Sequence, residues 1–293
     1  LAEDVEQTAM ASLFAEGIDA LSQQESPFLF WMHARGMAAP WDAPLTLRTA
    51  LADEEDPNPL RGSDVPSLCL SEDYDPDELL GIVQAYAAQV MVVDECLGVL
   101  MDAIAQHPRR EDLLLIVTSP RGFPLGEHRV VGDVATDLRG ELLHVPVLLW
   151  QGSGKGALFR NHALVQPPDV GATLADWFGV DMSSATSFAQ SLLPLTEERI
   201  AGASLPQHRD RAISVANDEQ SIRTPAWFLR NAGEELELFR KPDDRWELNE
   251  VSRRCPQIVE QLTLTLRECC QALRQNDLQQ LSPLSAELLE GLE

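Results

Sequence analysis

The sequence predicts an α/β fold with a smaller α+β part at its C-terminal end. Up to about Leu195, stretches with helical spacing of apolar residues alternate with short apolar runs, which is the element order of an α/β domain. Beyond that point, short strand-like segments separated by polar turns precede one long helical stretch, which predicts an antiparallel meander and a helix. We therefore divide the chain into residues 1–195 and residues 196–293.

Local patterns predict each element of the first part. Leu1–Ser22 places its apolar residues on one helical face, and the apolar, aromatic run Pro27–His33 predicts a buried strand with its histidine in the core. The clearest helix begins after Asp75, a typical N-cap residue followed by proline, and it ends before Pro108. The remaining elements are the strands Leu113–Val117 and Val145–Trp150 and the helix Pro168–Phe178, which Gly179 ends.

The second part is predicted from its alternation of short runs and polar turns. One long helix follows the strands, and Asn249 is its predicted N-cap. The strands are Arg211–Ala216, Ser221–Leu229 and Glu234–Arg240, and the helix runs from about Glu250 to Leu273.

Composition excludes several classes of protein. The 293 residues carry 22 Lys and Arg against 47 Asp and Glu, a net charge of −25, whereas nucleic-acid binding depends on phosphate neutralisation by basic residues. We therefore expect no nucleic-acid partner, and without a run of 18 apolar residues we expect no membrane span. The five cysteines are odd in number and lack CxxC spacing, which argues against a disulfide framework or a zinc site. The first residues have neither a Met nor a basic segment, so we expect a piece of a longer chain. Because they resemble no signal peptide, we favour the cytoplasm.

The stretch Leu113–His128, LLLIVTSPRGFPLGEH, is the most informative motif. Five apolar residues predict a buried strand, and Thr118 and Ser119 lead from its end into a glycine-containing loop. The carboxyl ends of strands are where an open α/β sheet places its chemistry. Ser119, Arg121 and His128 are therefore the candidate pocket residues, and the alternative for His128 is an ordinary loop or cap histidine.

This motif resembles the strand of the sulfatase family, within the alkaline phosphatase superfamily, that ends in Thr-Ser-Asp-His-Gly or Thr-Ser-Asp-Asn-Gly and is often followed by Leu-Gly-Glu-His. The resemblance implies an alkaline-phosphatase-like fold with a mixed, largely parallel central sheet flanked by helices. Further segments resemble the family in the same order along the chain: Ser26–His33 with Pro40–Pro44, the helix with Tyr86, Asp94 and Gly98, His144–Leu148, Pro168–Val180, and Glu237–Asp244 with Asn249.

The resemblance also implies which catalytic groups are absent. The family binds calcium or magnesium through the Asp-His or Asp-Asn pair, and here that pair is replaced by Pro120 and Arg121. Its histidine falls on Ala38 and its sulfate-binding lysine on Ala135. No cysteine or serine heads the Cys-x-Pro-x-Arg pattern from which the family makes its formylglycine nucleophile. We therefore expect no metal and no cofactor, and no residue is assigned a catalytic role.

Arg121 has two interpretations. It fills the vacated metal position and pairs with acids from an upstream segment, or it is an exposed loop arginine.

Three functions remain open at this point. The first is a sulfatase-like protein without hydrolase activity, retained as a scaffold or for binding. The second is an active sulfatase or phosphoesterase whose metal and nucleophile lie in a missing upstream segment. The third is an interaction domain that presents an acidic surface. The expected partner is either another protein or the chain's own upstream segment.

Overall fold

The computed structural model describes residues 1–25, 27–38, 40–134, 137–181, 188–196, 208–233, 235–275 and 281–291. Three positions used above, Ser26, Ala135 and Glu234, lie outside these ranges. The chain groups into two compact units. Unit 1 comprises residues 1–113 and 123–135, and unit 2 comprises residues 114–122 and 136–293. The predicted division at residues 195 and 196 is not tested by this grouping and stays a prediction.

Helices and strands follow the predicted alternation over most of the chain. Short 3₁₀ turns connect several of them. The helices are α1 Ala9–Ser22, α2 Leu45–Ala50, α3 Pro76–Gln106, α4 Gly140–Leu143, α5 Pro168–Trp177, α6 Pro256–Gln275 and α7 Ala286–Glu290, and the strands are β1 Leu68–Cys69, β2 Leu114–Thr118, β3 Val130–Val131, β4 Val147–Gln151, β5 Ala212–Ala216, β6 Glu219–Arg223, β7 Trp227–Ala232 and β8 Glu235–Arg240.

Helix α3, with 31 residues, is the longest helix in the described residues of unit 1, and its predicted start is confirmed. The Asp75 side chain accepts a hydrogen bond from the backbone N–H of Asp77, and Pro76 occupies the first turn. The inner face of α3 packs against an aromatic cluster in which the Trp41 and Tyr86 rings lie 5.8 Å apart and the Trp41 and Phe123 rings 5.4 Å apart. This cluster holds the segment after β2 against the helix within unit 1.

Three separate sheets are present in the described residues, and every strand pair in them is antiparallel. Strand β1 pairs with β3, β2 pairs with β4 with Thr118 opposite Val147, and the C-terminal sheet has the order β5-β6-β7-β8. The strands predicted around Leu113–Val117 and Val145–Trp150 are therefore present as β2 and β4. The largely parallel arrangement of the central sheet is not confirmed.

The strand predicted at Pro27–His33 is wrong, since the structure has no strand there. Phe28 contacts the His107 ring, while the next three residues, Leu29, Phe30 and Trp31, are 61%, 38% and 68% exposed. A strand needs a neighbour that accepts its backbone hydrogen bonds, and no described residue pairs with this segment. His33, expected in the core, is exposed.

The C-terminal meander has four strands rather than the three predicted. The run Ser221–Leu229 is interrupted because Thr224 starts a turn, in which its backbone N–H donates to the Trp227 carbonyl at 2.8 Å. Helix α6 begins at Pro256 rather than near Glu250, and Asn249 is not its N-cap. The carboxylate of Glu250 instead accepts from the backbone N–H groups of Leu238 and Ser252, which holds the preceding segment in turns.

One face of α6 covers the meander and forms the core of unit 2. Ile258, Leu262 and Leu266 are at most 2% exposed, and they belong to one apolar cluster with Ile222, Leu229 and Leu238 of the sheet. None of the helices in the described residues is long and apolar enough to cross a membrane.

Candidate functional site

Ser119 and Arg121 lie in a tight turn directly after β2, as the sequence predicted. The half-buried Ser119 hydroxyl donates a hydrogen bond of 2.6 Å to the backbone carbonyl of Arg121, so its proton is used within the turn. Arg121 itself is exposed. The Ser119 side chain thus contacts the backbone of Arg121, and both residues lie in unit 2. His128 lies in unit 1.

Gly122, the next residue, is required by a close approach of two backbone segments in unit 2. Its N–H donates to the Leu142 carbonyl of α4 at 2.9 Å. A Cβ atom at this position would lie 1.8 Å from the Glu141 carbonyl oxygen, which no side chain tolerates. The glycine that this chain shares with the sulfatase motif therefore has a packing role here.

The segment Leu125–His128 forms a turn within unit 1. Gly126 has a φ of +104°, which favours glycine, and its N–H donates to the Val130 carbonyl at 2.9 Å. The Glu127 carboxylate accepts from the Leu125 backbone N–H at 2.7 Å. Burial raises the pKa of the Tyr86 phenol, and the negative charge of Glu127 raises it further. The Leu-Gly-Glu-His sequence thus supplies a turn, and His128 is half-buried beside it.

The residues of this loop do not fit a divalent cation. Calcium and magnesium need several oxygen ligands, whereas Pro120 offers none and Arg121 carries a positive charge. Within the described ranges, no group of three or more His, Cys, Asp and Glu side chains is arranged to hold a metal ion. Ala38 is exposed and has no donor, and Ala135 lies outside the described residues.

The sequence analysis missed a buried acid in unit 2, Asp169 at the start of α5. This residue is 0% exposed, forms an ion pair with Arg209, and accepts from the backbone N–H groups of Gln166 and Gln190 at 2.7 and 2.9 Å. Burial alone would raise the pKa of Asp169, but the hydrogen bonds from His208 and the two backbone groups, with the Arg209 charge, lower it. An aspartate in the first turn after a proline was the available signal.

A second missed cluster lies across the C-terminal sheet. Arg230 donates to Glu219 and Glu237, each at 2.6 Å, and Arg139 contacts Glu237 at 3.1 Å. Burial would lower the pKa of Arg230, yet the hydrogen bonds to both carboxylates raise it. Arg230 and Glu237 lie directly opposite each other in the β7–β8 register, so a correct hairpin alignment would have revealed this pair.

A third buried charge pair lies in the C-terminal signature segment. Lys241 is 9% exposed and donates to the Glu247 carboxylate at 3.1 Å, and the Gly140 N–H donates to the other carboxylate oxygen at 3.2 Å. Burial lowers the pKa of the nearby Arg223 to about 10, against the raising effect of Glu247. In each of the three clusters the central buried charge faces at least one opposite charge, which is the arrangement of a structural network rather than of a substrate pocket.

Comparisons with known proteins agree with this architecture. The sequence model of the family described as Sulfatase matches residues 3–180. A curated relative, the multifunctional alkaline phosphatase superfamily protein PehA of Trinickia caryophylli, is 26% identical over 125 residues, which are 42% of this chain and 24% of that protein.

Solved structures show the same fold. The structure of BT4656 in complex with its substrate D-glucosamine-2-N,6-O-disulfate has a TM-score of 0.65 at 17% identity, over 94% of this chain and 72% of that one. The phosphonate monoester hydrolase of Agrobacterium radiobacter has a TM-score of 0.64 at 18% identity, over 94% and 62% of the two chains. The match to PehA thus covers about a quarter of that protein, and this chain spans less than two thirds of the phosphonate monoester hydrolase.

Proposed function

Because the chain belongs to the sulfatase family, we propose that it is a sulfatase-like module without ester hydrolase activity, retained as a scaffold or for binding. The observation that carries this proposal is the division of roles in the loop after β2. Gly122, Gly126 and Glu127, which the chain shares with the family motif, make packing and turn contacts. The positions where the family carries metal ligands hold Pro120 and Arg121.

The chemistry of the reaction explains why this division matters. Hydrolysis of a sulfate or phosphate ester needs stabilisation of negative charge at the transferred group, and metal ions or cationic clamps supply it. The hydroxyl nearest to the vacated pair, that of Ser119, donates to a backbone carbonyl instead of facing a general base. The metal, the cationic clamp and the nucleophile of such a reaction act as a unit, so their joint replacement leaves little residual catalysis.

The alternative is an active sulfatase or phosphoesterase in which polypeptide outside these 293 residues supplies the metal and the nucleophile. The names of the relatives favour it, since a multifunctional alkaline phosphatase superfamily protein and a phosphonate monoester hydrolase are among them. Each of these is longer than the part that this chain matches.

Turnover measurements separate the two functions. We expect 4-nitrophenyl sulfate, 4-nitrophenyl phosphate and a phenylphosphonate ester to be hydrolysed at the buffer rate, with and without added calcium or magnesium. A Ser119→Ala variant purified in parallel controls for contaminating hydrolases. Saturable turnover by the parent chain that disappears in Ser119→Ala would contradict the proposal.

Calorimetric titration tests the absence of a metal site directly. We expect no stoichiometric binding of calcium or magnesium, because Pro120 and Arg121 replace the ligand pair. The matched variant is Arg121→Asp, which restores one carboxylate and removes the positive charge. A micromolar site in the parent chain that this loop controls would favour the active hydrolase.

Finer features expected from the sequence remain part of this proposal. They are the mixed, largely parallel central sheet, the incomplete N-terminal part of the domain, a location in the cytoplasm, and a partner that is either another protein or an upstream segment. The TM-scores near 0.65 support the fold class, since they extend over 94% of the chain.

A further inference from the structure

Unit 1 carries an open groove on the outer face of α3. Its floor is apolar: Leu47 of α2 and Val90 and Met91 of α3 line a cavity of about 380 Å³ together with Asp94 and Glu95. Val90 and Met91 are 42% and 38% exposed, which is unusual for two adjacent apolar residues of a helix that packs on one side.

A second cavity of about 290 Å³ extends this groove towards the N-terminal turn. It shares Leu47 and Glu95 with the first cavity and is also lined by Glu3, Asp4 and Glu6. The two cavities together thus have an apolar floor and a rim of five carboxylates, all within unit 1.

The carboxylates of this rim are largely uncompensated. Asp4 accepts two hydrogen bonds from Gln7, while Glu3, Glu6, Asp94 and Glu95 form no ion pair with any described cation. By sequence, unit 1 contains 24 acidic and 6 basic residues, so little positive charge is available to screen the rim. A groove with one sign of charge and low-dielectric walls focuses the field and attracts the opposite charge.

We propose that this groove, the acidic α3 groove, binds a basic segment of a partner protein that inserts one or two apolar side chains between flanking Lys or Arg residues. The apolar floor accommodates side chains of Leu or Met size, and the five carboxylates match cationic neighbours on either side. A second copy of this chain is disfavoured as the occupant, because each copy carries a net charge of −25.

Peptide binding measured by fluorescence anisotropy tests the proposal. The probe is a fluorescein-labelled serine–glycine dodecapeptide with two adjacent leucines between four arginines. A second peptide has serines in place of the leucines, and a third has glutamates in place of the arginines. The first peptide should bind at least tenfold more tightly than the other two, and its affinity should fall as salt rises.

Charge-reversed and apolar variants of unit 1 locate the site. Asp94→Lys and Glu95→Lys combined should weaken binding of the first peptide at least tenfold. The control is Asp102→Lys combined with Glu111→Lys, which changes the net charge equally at exposed positions that line neither cavity. Met91→Gln should weaken binding severalfold, and its control is Val99→Ser, which is 55% exposed on the same helix. Circular dichroism confirms that each variant is folded.

The outcomes decide the proposal in either direction. Selective loss in the groove variants supports it. Equal loss in the two charge-reversed proteins, equal binding of the leucine and serine peptides, or no measurable binding of the first peptide would each overturn it. Sedimentation velocity of the parent chain tests the other occupant: a dimer that Met91→Gln dissociates would assign the groove to a second copy.

Discussion

Replacing Gly122 by alanine should destabilise unit 2 severely, although only one methyl group is added. The new Cβ would lie 1.8 Å from the Glu141 carbonyl oxygen and 2.9 Å from its carbonyl carbon. Both are backbone atoms, so α4 or the loop has to move. The shift is on the order of 1 Å or more, which is the distance still missing between the Cβ and the carbonyl oxygen for normal van der Waals contact. That movement also breaks the hydrogen bond from the Gly122 N–H to Leu142. Overpacking costs about 1–3 kcal/mol and a lost backbone hydrogen bond about 1 kcal/mol, so we expect a loss of about 3 kcal/mol in the free energy of unfolding.

Urea denaturation followed by circular dichroism measures this loss, and Gly171→Ala is the matched control. Gly171 lies inside α5 of the same unit, and a Cβ there meets no heavy atom within 4 Å. Alanine is the better helix former, so this variant should gain about 0.5–1 kcal/mol. Opposite signs for the two variants would support a packing role for the glycine of the Thr-Ser-x-x-Gly motif. A Gly122→Ala protein within about 1 kcal/mol of the parent would refute the reasoning.

Three further changes test the charged groups. Asp169→Asn should cost about 3–5 kcal/mol near pH 7, because it leaves Arg209 buried without its partner. Since the folded pKa of Asp169 is lowered, its contribution is complete above about pH 4 and is lost as the pH falls through that pKa, so denaturation curves of parent and variant should converge in acid. Arg121→Ala, made in the full-length protein, should cost about 0–1 kcal/mol in urea melts, because the side chain is exposed. A larger loss would favour the interpretation in which Arg121 fills the vacated metal position and pairs with upstream acids. Arg230→Met should cost about 2–3 kcal/mol, less than a fully buried pair would, because its partner carboxylates are 20% and 24% exposed. Adding Glu237→Leu should recover part of this loss, and an unchanged melting curve would show that the pair is not coupled.

Local signals in the sequence predicted the elements whose stability is local. The helix after Asp75 was predictable because its cap, its proline and its apolar spacing all lie within the helix itself. The strands that became β2 and β4 were visible as apolar runs, and the replacement of the metal pair by Pro120 and Arg121 is a matter of residue identity alone. The family resemblance was predictable for the same reason, since it needs only the order of short motifs along the chain.

Features that depend on contacts between distant residues were decided only by the tertiary structure. Pro27–His33 has the composition of a buried strand, yet strand formation requires a hydrogen-bonding neighbour that no described residue provides. The role of Gly122 depends on the carbonyl of Glu141, which is 19 positions away, and the charge pair of Asp169 depends on Arg209, 40 positions away. From the sequence alone, the same carboxylate could serve as a metal ligand, a surface charge or a buried structural ion. Burial and partners distinguish these roles, and both are properties of the folded chain.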